Sequence, residues 1–228
     1  MTGGMYDLSV KQWNPAAGCK FDCSYCYPSF RAQAKRQKHR CVGCYNYEPH
    51  EHPERLDQRL PLTGYGQFIF AIDMGDPAFV RPEYFRKVLD RVRRDDGRTF
   101  LFQSKNPAYF EDFKFPRNVI LGATIETNRD ELVREYVSPK VPLPTVRYNS
   151  MLGLDHPQKM VTIEPIMKFD LPIMVEWVRE IAPRMVWMGY NSYPKQVTLP
   201  EPSLEEFREL HFELGKLGIL TKLKTVRG

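Results

Sequence analysis

Three cysteines crowd one short stretch, Gly18-Cys19-Lys20-Phe21-Asp22-Cys23-Ser24-Tyr25-Cys26-Tyr27-Pro28, at positions i, i+4 and i+7. Thiolates this close converge on one soft metal centre when the loop curls around it. A structural zinc ion takes four ligands, and a catalytic one usually mixes in histidine or carboxylate. Three thiolates with no fourth nearby suit a cubane iron–sulfur cluster (4Fe-4S) that leaves one iron open. A metal-free thiol cluster and a zinc loop are the plainer alternatives. Tyr25, before the last cysteine, and Tyr27, after it, are expected to shield such a cluster from solvent.

A second constellation follows. His39-Arg40-Cys41-Val42-Gly43-Cys44 leads into Tyr45-Asn46-Tyr47-Glu48-Pro49-His50-Glu51-His52. A Cys-x2-Cys knuckle with two histidines a few residues on matches a tetrahedral zinc site formed by Cys41, Cys44, His50 and His52. Ligands of an auxiliary cluster and free surface thiols are the competing readings. Imidazole beside thiolate favours zinc. The site would staple an irregular insertion at about 39–66, where few apolar residues hold the chain.

All five cysteines lie between positions 19 and 44. A secreted disulfide scaffold would spread them, so the clustering argues for metal binding in a reducing compartment, hence the cytoplasm. The sequence carries 33 Lys+Arg against 28 Asp+Glu, a formal net charge of +5. That balance permits a phosphate-bearing partner without demanding one. No apolar run approaches the roughly 20 residues needed to span a bilayer, so no membrane partner is expected. Met1-Thr2-Gly3-Gly4-Met5 lacks the pattern of a secretory signal. The 19 prolines point weakly to rigid, heat-tolerant loops.

These residues need elements to position them. A first strand is expected over Asp7 to Gln12, ended by Trp13-Asn14-Pro15, and a short basic helix over Ser29 to Lys38. From Phe68 a β/α rhythm begins. Strands are expected near 68–72, 99–102, 119–125, 160–163, 185–188 and 219–224. Helices are expected over Pro82 to Arg93, Ala108 to Phe113, Asn128 to Val137, Leu171 to Ile181 and Ser203 to Leu217, with a further helical segment near Thr145 to Leu152. Asn128 with Glu131, and Ser203 with Glu206, have capping-box spacing. Apolar strands alternating with helices predict a parallel α/β sheet. No Gly-rich turn supports a dinucleotide fold, and six to seven units fall short of a closed barrel. The expectation is one domain over 1–228, a partial (β/α)6 TIM-type barrel with a terminal strand and the metal-stapled insertion.

In such folds chemistry sits at the C-terminal strand ends. The second strand ends in Asp73-Met74-Gly75-Asp76-Pro77, where a glycine allows close approach and carbonyls or Asp76 accept from an ammonium; an ordinary Asp-Pro turn is the alternative. The third ends in Ser104-Lys105, a cation for a carboxylate or phosphate. The fourth carries Thr124, Glu126 and Asn128 on one side of the alternation. The fifth carries Glu164, whose burial among Ile163, Ile166 and Met167 demands a partner; Arg147 is the candidate. The sixth ends in Gly189-Tyr190-Asn191-Ser192-Tyr193, suited to lining a cavity. Lys222 and Lys224 close the series.

The Cys-x3-Cys-x2-Cys loop after a first strand resembles the signature of the radical SAM superfamily. Trp13-Asn14-Pro15 together with the strand ends is similar to an uncharacterised phage- and mobile-element-associated radical SAM family, and distantly to spore photoproduct lyase. The resemblance implies a 4Fe-4S cluster on Cys19, Cys23 and Cys26, with S-adenosylmethionine (SAM) chelating the open iron. It assigns Met74, Gly75 and Asp76 to the SAM amino group, although the family's Gly-Gly-Glu segment is altered here. Ser104 and Lys105 would face a carboxylate, Thr124 and Glu126 the ribose, and Glu164 the adenine side. An electron donor such as ferredoxin or flavodoxin would be a partner.

The implied activity is reductive cleavage of SAM to a 5′-deoxyadenosyl radical. Arg31 to Arg40 with Tyr25, Tyr27, Tyr45 and Tyr47 suggests nucleic-acid modification or repair. A small-molecule or peptide substrate, and a non-enzymatic zinc module binding nucleic acid or protein, are the alternatives. A further one is an enzyme that has lost radical chemistry and keeps the cluster structurally.

Overall fold

The computed structural model describes residues 6–227; the N-terminal pentapeptide read above for its lack of a secretory pattern lies outside the described residues. Seven strands form one sheet in the order β1 (Ser9–Trp13), β4 (Phe68–Ala71), β5 (Phe100–Ser104), β6 (Val119–Thr124), β7 (Lys159–Ile163), β8 (Met185–Gly189) and β9 (Thr221–Lys224). Every neighbouring pair in it is parallel. β1 and β9 do not pair with each other, so the sheet is a curled half-barrel, as the β/α count predicts. Between β1 and β4 lies the insertion, whose short β3 (His50–Glu51) pairs antiparallel with β2 (Ala16–Ala17). A two-residue ladder carries no hydrophobic period, so the sequence gives no sign of it.

The helices form where apolar stripes and caps coincide. In α3 (Pro82–Arg93) Pro82 occupies the first turn, and Tyr84, Phe85, Val88, Leu89 and Val92 bury one face. Fully buried Phe85 packs edge-on against Phe102 of β5 at 5.3 Å between centroids; its truncation to Ala should cost about 3–5 kcal/mol. α5 (Pro144–Gly153), α6 (Leu171–Ile181) and α7 (Leu204–Lys216) cover the same face of the sheet. Ser203 caps α7 with the full reciprocal box to Glu206. The basic segment is helical from 27 to 37 in π, α and 3-10 turns, with α1 (Ala32–Ala34) in the middle, and α2 (Val42–Asn46) opens the knuckle. None of these helices is long and apolar enough to cross a membrane.

Asn128 corrects one expectation. It does not cap α4 (Asp130–Leu132), because its side chain donates to Asp170 O at 2.9 Å and accepts from Asp170 N at 2.9 Å. A bidentate bond to a passing backbone outweighs the single cap bond. The opposite, concave face of the sheet is filled by strand residues alone, Phe68, Phe70, Leu101, Ile120, Met160, Met185 and Trp187, plugged by Tyr6. Tyr6 Oη donates to Gln103 and lies 2.8 Å from Thr162 Oγ1. The concave interior is therefore packed below, and a cavity opens at the C-terminal strand ends.

Candidate active site

The Trp13-Asn14-Pro15 lead-in has a structural meaning. Trp13 is fully buried, and its Nε1 donates to Arg55 O at 2.9 Å, tying β1 to the insertion. Asn14 donates to Asp73 Oδ1 at 2.5 Å and accepts from Met74 N at 3.0 Å, locking the mouth of β1 to that of β4. There Ile72 holds φ at 60°, a conformation that costs a β-branched residue about 1–3 kcal/mol. Gly75 then lies against Gly18, where a Cβ would stand 2.6 Å from the Gly18 carbonyl oxygen. The glycine's close approach is to the cysteine loop.

Cys23 is buried, and Cys19 and Cys26 are half-buried. All three pack around one apolar cradle that includes Phe21, Val133, Val137 and Met167. Burial raises all three thiols, Cys23 up to about 11; Asp76 adds to the rise at Cys19. Uncompensated, these thiols would remain protonated at neutral pH, so a cationic centre is what would draw them to thiolates. Among the described residues, the one set of Cys, His, Asp or Glu ligand atoms gathered within 4.8 Å is the knuckle. The three loop thiols do not form such a set. The donor set fits an iron–sulfur cluster better than a single ion.

Tyr27 does not shield this cradle: it is 52% exposed, and its hydroxyl donates to Asp22 at 2.6 Å. The residue that covers Cys26 is buried Tyr47, with Oη 3.9 Å from its Sγ. Sequence reasoning missed that contact because it spans 21 residues and a loop. Tyr25 has its hydroxyl turned inward onto Glu126.

Glu126 is fully buried and accepts from Tyr25, from Lys105 and, at 2.5 Å, from Arg147 Nη1. Burial alone would raise its pKa, but Arg147 and Lys105 outweigh it and lower it to about 2. Arg147, also fully buried, donates to Thr124 O at 2.7 Å and Pro142 O at 2.6 Å. The candidate pairing of Arg147 with Glu164 is thus corrected: α5 aims the guanidinium at the end of β6. Glu164 pairs instead with Lys224 of β9 at 3.0 Å, and its Oε2 is buried without a partner. Burial raises Glu164, and Lys224 partly offsets this.

Asp76 is buried and accepts from Ser104 Oγ at 2.6 Å, Lys105 N at 2.9 Å and Ala78 N at 3.0 Å. These bonds stitch β4 to β5 and occupy both carboxylate oxygens. Thr124 Oγ1 accepts from Gln103 at 2.8 Å. A cavity of about 700 Å³ opens above, lined at the strand ends by Asn14, Asp73, Met74, Glu164, Tyr190 and Lys224 and flanked by Tyr25. Burial lifts Asp73 to about 6. Of the expected SAM contacts, Met74 and Glu164 face the cavity, while Gly75, Asp76, Ser104, Lys105, Thr124 and Glu126 are not among its lining residues. The Tyr25 ring flanks the cavity and lies under the Lys105 ammonium at 5.0 Å.

The second expected site also assembles. His50 Nε2 lies 3.2 Å from Cys41 Sγ, 3.2 Å from Cys44 Sγ and 2.9 Å from His52 Nε2, and Cys44 Sγ lies 3.2 Å from His52 Nε2. Bonds of about 2.3 Å to sulfur and about 2.1 Å to nitrogen give tetrahedral edges of roughly 3.6 Å and roughly 3.4 Å. The observed edges are a few tenths of an ångström tighter. His50 Nδ1 lies 2.7 Å from Glu48 O, and His52 Nδ1 lies 3.0 Å from Glu54 Oε1. Such partners fix the tautomer that leaves both Nε2 lone pairs facing the thiols. Burial lowers the pKa of His52, keeping it neutral as a ligand must be.

Compared with protein-family models and with curated proteins, the sequence matches none. By structure the chain is similar to a radical SAM methyltransferase from Sphaerobacter thermophilus (TM-score 0.56, 14% identity, covering 98% of this chain and 68% of that one). What the two share is the fold, a curled parallel α/β half-barrel. It is also similar to Streptococcus suis SuiB bound to S-adenosylmethionine (TM-score 0.53, 10% identity, covering 96% of this chain and 51% of that one). SuiB bound to its precursor peptide SuiA gives the same TM-score at 96% and 49% coverage. The chain spans about half the length of SuiB.

Proposed function

We propose that the chain is a radical SAM enzyme whose Cys19, Cys23 and Cys26 hold a 4Fe-4S cluster. The observation that carries this is the three-thiol cradle beside the cavity mouth of a parallel half-barrel. When bound, the cluster and SAM supply a 5′-deoxyadenosyl radical by one-electron reductive cleavage, using an electron from a ferredoxin or flavodoxin. The protein's share is orientation and exclusion of water. In this reading Met74, Gly75 and Asp76 shape the loop that receives the SAM ammonium. Lys105 and Ser104 serve its carboxylate, Thr124 and Glu126 its ribose, and Glu164 the adenine side. Glu126 reaches a ribose only when Tyr25 leaves it, so SAM binding should displace that tyrosine. The Trp13-Asn14-Pro15 lead-in keeps the mobile-element-associated radical SAM family as the preferred relative.

The knuckle is proposed to hold zinc, within a single domain over 1–228 whose insertion covers about 39–66, in a cytoplasmic protein. For the substrate we favour nucleic acid. A groove of about 240 Å³ runs between Tyr27, Arg31, Lys35 and Tyr45, with Arg31 4.4 Å over Tyr27 and Lys35 4.2 Å over Tyr45. Cations paired with rings, Tyr27 exposed and Tyr45 half-buried, suit a phosphate backbone and stacked bases. Buried Tyr47 is not available to stack. The peptide seen on SuiB supports a peptide substrate as the second reading.

Anaerobic reconstitution with iron and sulfide analysis tests the proposal. Brown protein of 4Fe-4S stoichiometry, lost in Cys19→Ala, is expected; colourless protein with zinc in both sites would make it a zinc module. Binding of tRNA or DNA that weakens steeply with salt is expected, and no binding at low salt would remove the nucleic-acid reading.

A further inference from the structure

The knuckle and the cysteine loop grip each other from two sides. His50 lies in β3 and His52 directly follows it; the strand pairs with Ala16 and Ala17 immediately before the loop, and His52 N donates to Pro15 O at 2.6 Å. Cys41 caps α2 and Cys44 lies within it, and the helix ends on Tyr47 with φ at 59°. Tyr47 O accepts from Cys19 N at 3.2 Å while the Tyr47 side chain covers Cys26. Between them Gly18, at φ +92°, lies so close to the Glu48–Pro49 backbone that a Cβ would fall 2.0 Å from Glu48 O. Gly43 makes the matching allowance on the knuckle side: a Cβ there would meet the His50 ring at 2.9 Å.

We infer that metal bound at Cys41, Cys44, His50 and His52 is the clamp that shapes the Cys19–Cys26 loop, so that filling the knuckle pre-organises the neighbouring thiols. Four side chains from positions 41–52 are fixed by one ion, and the same twelve residues supply the loop with a strand partner, a carbonyl and a cover. Such coupling is reciprocal. A lesion on the loop side must therefore weaken the metal at the knuckle even though it touches none of the ligands.

The test uses the full chain without iron, so it does not depend on the cluster assignment. Backbone hydrogen exchange is followed with and without one equivalent of zinc. The Cys19 and His52 amides should slow by about tenfold or more, within the usual range of site-to-site coupling, while the amides of Phe102 and Val161 in the sheet stay unchanged. Zinc affinity, read by competition with a chromophoric chelator, should fall by about 10–100-fold in Glu54→Gln through loss of the His52 partner, and by about tenfold in Gly18→Ala. Zinc that binds and slows His52 but leaves Cys19 unchanged would overturn the clamp. So would uniform slowing of all amides, or no zinc binding at all. If Gly18→Ala fails to fold, the exchange data on the natural chain decide alone. A cluster that never assembles on zinc-loaded protein would instead refute the reading of the loop and leave the clamp standing.

Discussion

Arg147→Met is the sharpest structural perturbation available, because it strands a fully buried carboxylate. Glu126 and Arg147 are both 0% exposed and meet at 2.5 Å. Removing one member of a buried pair costs about 3–5 kcal/mol. The electrostatics around the carboxyl give a similar size. A fall from 4.5 to about 2 corresponds to about 3 kcal/mol at about 1.36 kcal/mol per unit. Since the folded pKa lies below the unfolded one, this stability is fully present above about pH 4.5 and is lost as the pH falls towards 2. Urea denaturation of the metal-reconstituted chain at pH 7 should show the 3–5 kcal/mol loss, a fall in Tm on the order of 10 °C. The deficit should shrink in the pH 2–4 range, where the carboxylate of the variant is protonated. Adding Glu126→Gln to Arg147→Met should recover part of the loss, because the stranded charge is gone. A loss below about 1 kcal/mol, or strictly additive single and double variants, would refute the buried-pair account.

Three smaller perturbations follow from other contacts. Ser203→Ala removes the capping box of α7 and should cost about 1 kcal/mol, seen as a Tm lower by about 2–4 °C; an unchanged Tm would show the cap to be idle. Gly75→Ala drives a methyl into the Gly18 carbonyl at 2.6 Å, so iron uptake on reconstitution should fall while far-UV circular dichroism is kept, and full iron content would contradict the packing argument. Lys224→Met removes the partner that offsets burial at Glu164, so the Glu164 pKa, followed by carbon-detected NMR titration, should rise further; a fall or no change would mean that Lys224 does not hold that carboxylate.

Much of the scaffold was legible because local signals agreed with one another. Pro82 with the stripe through Phe85, Val88 and Val92, and Pro172 opening the helix that ends at Ile181, give bounds that match the structure residue for residue. Apolar runs such as Phe68-Ile69-Phe70-Ala71 betray strands buried on both faces. What escaped was pairing across long separations. Alternation groups Glu126 with Thr124 and Asn128, and apolar neighbours demand a partner for Glu164, but neither signal carries information on which cation reaches each. Arg147 is 17 residues before Glu164 and 21 after Glu126 in sequence, and the direction of α5 decides in favour of Glu126. Lys224 lies on the last strand of the sheet, adjacent to Glu164 only through the β7–β8–β9 order. The convergence of Cys41, Cys44, His50 and His52 was legible because the four side chains fall within twelve residues. The knuckle's grip on the cysteine loop was not, since a two-residue ladder and a left-handed Tyr47 leave no pattern to read.

The most direct test of the central claim is the formation of 5′-deoxyadenosine by the anaerobically reconstituted, reduced chain supplied with SAM. The account predicts release of 5′-deoxyadenosine and methionine by the natural sequence and none by Cys19→Ala, Cys23→Ala or Cys26→Ala. Equal release from all four proteins, or no release from a chain carrying a full 4Fe-4S complement, would contradict it.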